Sequence, residues 1–443
     1  MSNVAFLWDE SFLWGLMAYK SLKALRLCFD LVRSEDIKRG CLKNYRMIFV
    51  PGGWASNKLK ALGEEGIEEI KRFVYEGGNY FGICGGAGLA TMDGLGLLNI
   101  KRKSTKERVP SFSGRIYLNI SEVPIFTNSP IHQFTNSPVF HAWWPSQFVV
   151  YDKDIKILAT FQEALSDSYS SDLNVGDIRK NGNWKELEEL YGINLDPERL
   201  KDEPAVVEGR FGRGKVLLSL IHFDTPGDEN GAVVLRNIWE YLGGSRDGFG
   251  TCPYTHSPIN PFTSSPIHPS THSPLHPFTH SPKNLLHCCS EIIDFGIRNF
   301  LWFWRTPMIL QWRRGVRGLE YNTLYVMAKE VAEADNSATV RQSDSPTFYR
   351  TTVARSSVSS LKPKDSSIFK EKALRLLMLE GREIKEGIKI DSYSIGEHLE
   401  PEIQILRKEL FGDSKSHGGL FKEILDIIDV ILYDSLNNAT LGS

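Results

Sequence analysis

Residues 77–90 read GGNYFGICGGAGLA, and their interpretation decides the fold. Tyr80–Ile83 is an apolar run of strand length that passes through Gly82-Ile-Cys84-Gly-Gly86 into a helix starting at about Gly86. A strand entering a helix through G-x-C-x-G is a nucleophile elbow. The nucleophile sits on a strained turn, and only small flanking residues let strand and helix approach so closely. The dipole and free N–H groups of a helix start also favour a thiolate over a thiol. A buried structural cysteine ahead of a glycine-rich helix is the alternative; the glycines at 82, 85, 86 and 88 favour the elbow.

On either side of this stretch, residues 1–245 alternate between strand and helix patterns. Val4–Trp8 is a first strand, Phe12–Phe29 carries helix-spaced apolar residues, and Arg46–Val50 is a buried strand ending in Pro51-Gly-Gly53. Glu64–Tyr75 is amphipathic and closed by Gly77-Gly78. Strands follow around 115–120, 148–151 and 155–161. A last pair, Ala205–Arg210 and Lys215–Ile221, joins through the hairpin signal FGRGK, and Gly231–Leu242 closes the region as a helix. This order predicts an α/β domain with a flavodoxin-like, mostly parallel sheet and helices on both faces.

Two further segments bear on the cysteine. Val50-Pro-Gly-Gly53-Trp54 lies at the carboxyl end of the preceding strand, where Gly53 N–H could pair with Gly85 N–H as an oxyanion hole. Ser219-Leu-Ile-His222-Phe-Asp224 follows the strand KVLLSLI, so His222 can reach the thiol with Asp224 behind it, as a Cys-His-Asp relay requires. Asp224 reaches the far ring nitrogen only if the chain bends at Phe223; Glu10 and Glu229 are the other acids considered for that role. Trp54 and Trp143, the latter in His141-Ala-Trp-Trp144-Pro, are candidate walls of a substrate pocket, with core packing as the plainer reading for Trp143.

These motifs in this order resemble the class I glutamine amidotransferase-like superfamily. Within it the chain is most similar to the amidotransferase-like domain at the N-terminus of fungal biotin-protein ligases and in stand-alone bacterial proteins. The resemblance spans roughly residues 3–245 and rests on WDE, FVPGGWA, GGNYFGICGGAGLA and GRGKVLLSLIHFD. It implies Cys84 as nucleophile, His222 as base, Asp224 as orienting acid and Gly53 and Gly85 as oxyanion donors. The superfamily pattern is His-Pro-Glu and this chain has His-Phe-Asp, which bears on the third role. The biotinyl-adenylate motif of the ligase domain is absent, Gly209–Gly214 being the hairpin turn, and no P-loop or ATP-grasp signature occurs. The expected activity is that of a cysteine amidohydrolase on a small-molecule or peptide amide, without cofactor or metal. The rival from another class is a binding or regulatory module that keeps the elbow as architecture.

Composition limits the alternatives. A net charge of −2 over 443 residues leaves no basic excess for nucleic acid. Six cysteines without CxxC spacing argue against zinc or redox motifs. The apolar N-terminus holds Asp9 and Glu10 and has no basic leader, and Ile292–Trp312 is broken by Asp294, Arg298, Arg305 and Pro307. No membrane association is therefore expected, and the expected location is cytoplasmic. An octad repeat appears as FTNSP at 126–138 and again through 254–282. Its prolines predict an insertion at 126–138 and a disordered Pro/His/Ser-rich linker at 246–283. His132, His256, His268, His272, His276 and His280 fall in these repeats, but an extended tract preorganises no metal geometry. Beyond them the pattern predicts a helical, aromatic-rich segment at 284–334, a Ser/Thr-rich disordered linker at 335–367 and a helical tail at 368–443. This helical C-terminal extension carries no catalytic motif and offers helix faces to a protein partner.

Overall fold

Apolar strands buried at every position need cover on both faces, and two four-residue runs meet that condition: Val4–Leu7 (β1) and Met47–Val50 (β3), with Asp30–Val32 (β2) between them in sequence. They lie in a computed structural model of the protein that describes residues 2–127, 138–244, 282–341, 363–387, 400–413 and 417–441. The chain divides into two units, Met1–Pro253 and Tyr254–Ser443.

In the first unit Asn79–Ile83 (β4), Ile100–Arg102 (β5), Phe112–Ile120 (β6), Val139–Trp143 (β7), Phe148–Val150 (β8), Lys156–Ala164 (β9), Tyr169–Ser170 (β10), Leu173–Asn174 (β11), Pro204–Phe211 (β12) and Gly214–Ser219 (β13) follow. The main sheet has the order β11-β10-β6-β9-β12-β13-β4-β3-β1-β2, with β7 also paired to β6. From β2 to β13 the neighbours are parallel; from β13 onward they are antiparallel, joined by the β12–β13 hairpin that the FGRGK turn predicts. Strands β5 and β8 form a separate antiparallel ribbon. The domain is thus α/β, a mixed sheet with a parallel half that carries the motifs.

Helices Phe12–Ala24, Ala55–Tyr75, Gly85–Leu89 and Glu229–Gly243 supply the cover. Phe6, Phe49, Phe81 and Trp239 pack as an aromatic core, with Phe49 5.1 Å from Phe6, 5.2 Å from Phe81 and 5.4 Å from Trp239 between ring centres. The predicted helix over 12–29 ends at Ala24, where Arg26 takes φ +56° and the chain turns into the short strand β2. The predicted helix over 64–75 begins nine residues earlier; Gly63, at φ +59° and ψ −176°, kinks it at the predicted start.

The second unit holds helices Pro282–Arg298, Gly318–Arg341, Pro363–Lys385, Pro401–Phe411 and Gly419–Leu441. The helical reading of 284–334 is corrected within this span: Trp302–Thr306 (β14) and Ile309–Trp312 (β15) form a hairpin, with Trp302 opposite Trp312. The reason is a period of two. Trp302 is buried while Phe303 is exposed, and Pro307 sits in the turn, where a helix could not carry it. Trp302 Nε1 donates to the Ile293 carbonyl at 3.0 Å, which fastens the hairpin to the preceding helix. Helix Gly318–Arg341 also extends seven residues into the predicted Ser/Thr-rich linker, and helix Pro363–Lys385 takes its last five.

The octad segment between Thr127 and Pro138, most of the 246–283 tract with its histidines, and residues 342–362 lie outside the described residues. Among the described residues no helix is long and apolar enough to cross a membrane, and no group of three or more His, Cys, Asp or Glu could hold a metal ion.

Candidate active site

Three adjacent parallel strands, β3, β4 and β13, end on the same side of the sheet. In an open α/β sheet the loops leaving those carboxyl ends form the crevice for ligands. Cys84 follows β4 with φ +50° and ψ −105°, a conformation that costs a non-glycine residue about 1–3 kcal/mol. Neighbours hold it there. The Cys84 N–H donates to the Ser219 carbonyl at the end of β13 (2.8 Å), and the Cys84 carbonyl accepts from Gly88 N–H (2.8 Å). The glycines around it are needed for close approach rather than for flexibility. A Cβ at Gly82 would lie 2.6 Å from the Gly86 carbonyl, one at Gly86 would overlap the Val50 carbonyl oxygen, and one at Gly85 would overlap that of Gly53.

That last contact brings the two expected oxyanion donors together. Gly53, at φ +113°, is wedged between the elbow and the Glu10 carbonyl. Neither the Gly53 nor the Gly85 N–H donates a hydrogen bond among the described residues. Behind Gly53 the amine of the fully buried Lys58 donates to the Asp9 carbonyl (3.0 Å) and to Ser11 Oγ, tying the Asp9–Ser11 loop to helix Ala55–Tyr75.

His222 and Asp224 are both fully buried, and His222 Nδ1 lies 2.9 Å from Asp224 Oδ1. The bend at Phe223 that this pairing needs exists without a proline. Thr225 makes it, its N–H (3.0 Å) and Oγ1 (2.9 Å) both donating to the His222 carbonyl. The His222 N–H donates to the His141 carbonyl at 2.8 Å, and the ring lies against Trp14 with centres 4.9 Å apart. Nδ1 therefore belongs to Asp224; Nε2 has no hydrogen-bond partner, and neither Glu10 nor Glu229 reaches the ring. Burial pulls the imidazole's pKa down. The Asp224 charge and hydrogen bond, with a smaller contribution from the Cys84 sulfur, outweigh it and hold the value above that of an ordinary histidine.

The aromatic candidates divide. Trp143 does not offer its ring to a pocket, because the ring is buried and its Nε1 donates to Thr225 Oγ1 at 3.0 Å. Its carbonyl oxygen is what the site meets, 3.9 Å from Cys84 Sγ. Trp54 is partly exposed at the start of helix Ala55–Tyr75, one residue past Gly53. Sequence reasoning missed Trp14, Thr225 and the backbone of His141. Trp14 sits in an ordinary apolar helix pattern, and Thr225 and His141 act through atoms that any residue or any hydroxyl supplies.

Residues 34–93 match the family model described as biotin-protein ligase, N terminal, a span that contains the Gly52-Gly53 turn and the Cys84 elbow. No curated protein matches the chain. Among solved structures, PurLQS from Thermotoga maritima is 18% identical, covering 55% of this chain and 100% of its own at a TM-score of 0.37. A glutamine amidotransferase is 20% identical with 55% and 100% covered and a TM-score of 0.35. A β-galactosidase from Rahnella sp. R3 is 13% identical, with 56% of this chain and 32% of the enzyme covered and a TM-score of 0.35.

Proposed function

We propose that the first unit is an amidotransferase-like cysteine amidohydrolase that cleaves an amide through a thioester on Cys84. The observation that carries this is the buried His222–Asp224 pair with its free Nε2 beside the strained Cys84 turn. The thiol proton passes to His222 Nε2, whose raised pKa favours holding it, and Sγ attacks the amide carbon as the thiolate. The carbonyl oxygen becomes an oxyanion and takes the N–H groups of Gly53 and Gly85. Collapse breaks the C–N bond, and His222 returns its proton to the leaving amine. Water then adds to the thioester with His222 as base, releasing the acid and restoring the thiol. Throughout, Asp224 holds Nδ1–H, fixing the tautomer that leaves Nε2 facing the sulfur and stabilising the imidazolium.

Two measurements test this reading. Cys84 should react with iodoacetamide at neutral pH at least about tenfold faster than Cys28 or Cys41, since an activated thiolate outpaces structural thiols. Ammonia release from glutamine and other primary amides should be abolished by Cys84→Ala. An unreactive Cys84 in a chain that turns over no amide would instead support a binding module built on the same elbow.

A further inference from the structure

His222 has no exposed surface, so when it holds the Cys84 proton its positive charge has to be stabilised by its neighbours rather than by water. Asp224 meets Nδ1 at 2.9 Å, and the Cys84 sulfur acts on the ring from the elbow. The other charged groups nearby are engaged elsewhere. Lys58, on the helix that follows the β3 loop, donates to the Asp9 carbonyl and Ser11 Oγ, and on β7 the His141 ring is held by Asp228 at 2.7 Å. The remaining neighbour is the first turn of helix Phe12–Ala24, which contains no acid. It lays the Trp14 indole against the imidazole, with ring centres 4.9 Å apart and planes inclined at 37°.

The structure holds Trp14 in that position. Its N–H donates to the Ser11 carbonyl at 3.0 Å, in the turn that Lys58 anchors. Trp144 packs edge-on against the indole, 5.9 Å between ring centres. Gly52 leaves room for the approach, since a Cβ there would lie 2.9 Å from Trp14 Cγ and 3.3 Å from His222 Cε1. The face of an indole is the negative side of its quadrupole and attracts a cation, most strongly where water is excluded. A neutral imidazole gains only packing from that face, whereas an imidazolium also gains a cation–π attraction, so the contact favours the protonated ring.

We propose that Trp14 is a positioning residue for His222: its indole face holds the imidazolium that accompanies the Cys84 thiolate. This rests on the amidohydrolase reading in taking the two residues as a proton-sharing pair, but it can be measured without turnover. Iodoacetamide alkylates the Cys84 sulfur with loss of iodide, and peptide mass spectrometry on the full chain follows the rate across pH. The rate rises once as the thiol loses its proton and again as the imidazolium loses its own, leaving the thiolate unpaired.

In the wild-type protein the upper step should lie above the range of an ordinary histidine. Trp14→Leu should lower it by about one pH unit, the size of one desolvated cation–π contact, and Trp14→Phe by about half of that or less. Were the indole mere packing, Trp14→Leu would melt earlier and leave the step in place; were it only a shield, water admitted beside the imidazolium would raise the step. Either result overturns the inference. Should Trp14→Leu unfold, wild-type chain grown with ring-fluorinated tryptophan, whose face attracts cations less, should show a lowered step that the same labelling fails to produce in Trp14→Phe. An unmoved step in the labelled wild type overturns the inference equally. A wild-type Cys84 with a single step at the position of Cys28 would overturn the amidohydrolase reading and this one together, whereas two steps indifferent to Trp14 overturn this one alone.

Discussion

Asp224 stands in His-Phe-Asp, where the pattern that the sequence resembles has His-Pro-Glu, yet its Oδ1 reaches His222 Nδ1 at 2.9 Å because Thr225 draws the chain back beneath the imidazole. A shorter side chain on a tighter bend thus reaches the ring without the proline. Asp224→Asn should lower amide turnover by about 10²–10⁴-fold, since an amide permits the wrong ring tautomer and cannot stabilise imidazolium. Glu10→Gln and Glu229→Gln should stay within about threefold of wild type, because neither acid contacts the ring. Initial rates for the three variants on one amide decide the matter; a near-wild-type Asp224→Asn would remove the residue from the mechanism.

The elbow is an element whose parts fail together. A side chain at Gly85 would overlap the Gly53 carbonyl oxygen, so Gly85→Val must push the β4–helix turn away from the β3 loop. It should cost more than about 3 kcal/mol and abolish Cys84 reactivity. Cys84→Ala, which removes only the sulfur, should melt close to wild type. Thermal unfolding of the two side by side checks the placement, and an unshifted Gly85→Val would contradict it. Lys58 supports the same element from behind. Lys58→Met leaves the Asp9 carbonyl and Ser11 Oγ without their shared donor and should destabilise the unit by about 1–3 kcal/mol, read as a fall in melting temperature.

At the scale of the molecule the two units carry different chemistry. Every group of the candidate site lies within the first unit, so residues 1–245 produced alone should retain a cooperative melt and the fast Cys84 alkylation of the full chain. Loss of either would show that the second unit contributes to the site. The second unit encloses a buried charge network instead. Arg317 pairs with Glu320 at 2.7 Å, and Arg407 pairs with Glu380 at 2.8 Å and donates to the Gly315 carbonyl at 2.7 Å. Burial outweighs the pull of Arg407 and pushes the Glu380 carboxyl up to about 7 from an ordinary 4.5. A raised folded-state pKa means that the folded protein holds a proton the unfolded chain releases. The resulting stability is complete below pH 4.5 and is lost as pH rises through 7. Glu380→Gln mimics the protonated group, so its melting temperature relative to wild type should climb between those values and level off above them; calorimetry across that range tests it.

The sequence by itself determined the alternation of strands and helices over residues 1–245, the elbow, the hairpin before His222 and the place of a cysteine and a histidine each at the end of a strand. These rest on local rules, because glycine spacing, apolar run length and turn chemistry act between residues close in the chain. The helical reading of Trp302–Trp312 failed where aromatic content was weighed above the period of two and the proline between the strands. Only the tertiary structure decided which atoms of the site residues matter. It turned Trp143 so that its carbonyl, not its ring, meets Cys84, set Trp14 against His222 and gave Asp224 its bend. Those outcomes depend on contacts between segments tens to hundreds of residues apart. No local pattern encodes them, because burial and hydrogen-bond partners are assigned only when the sheet is assembled.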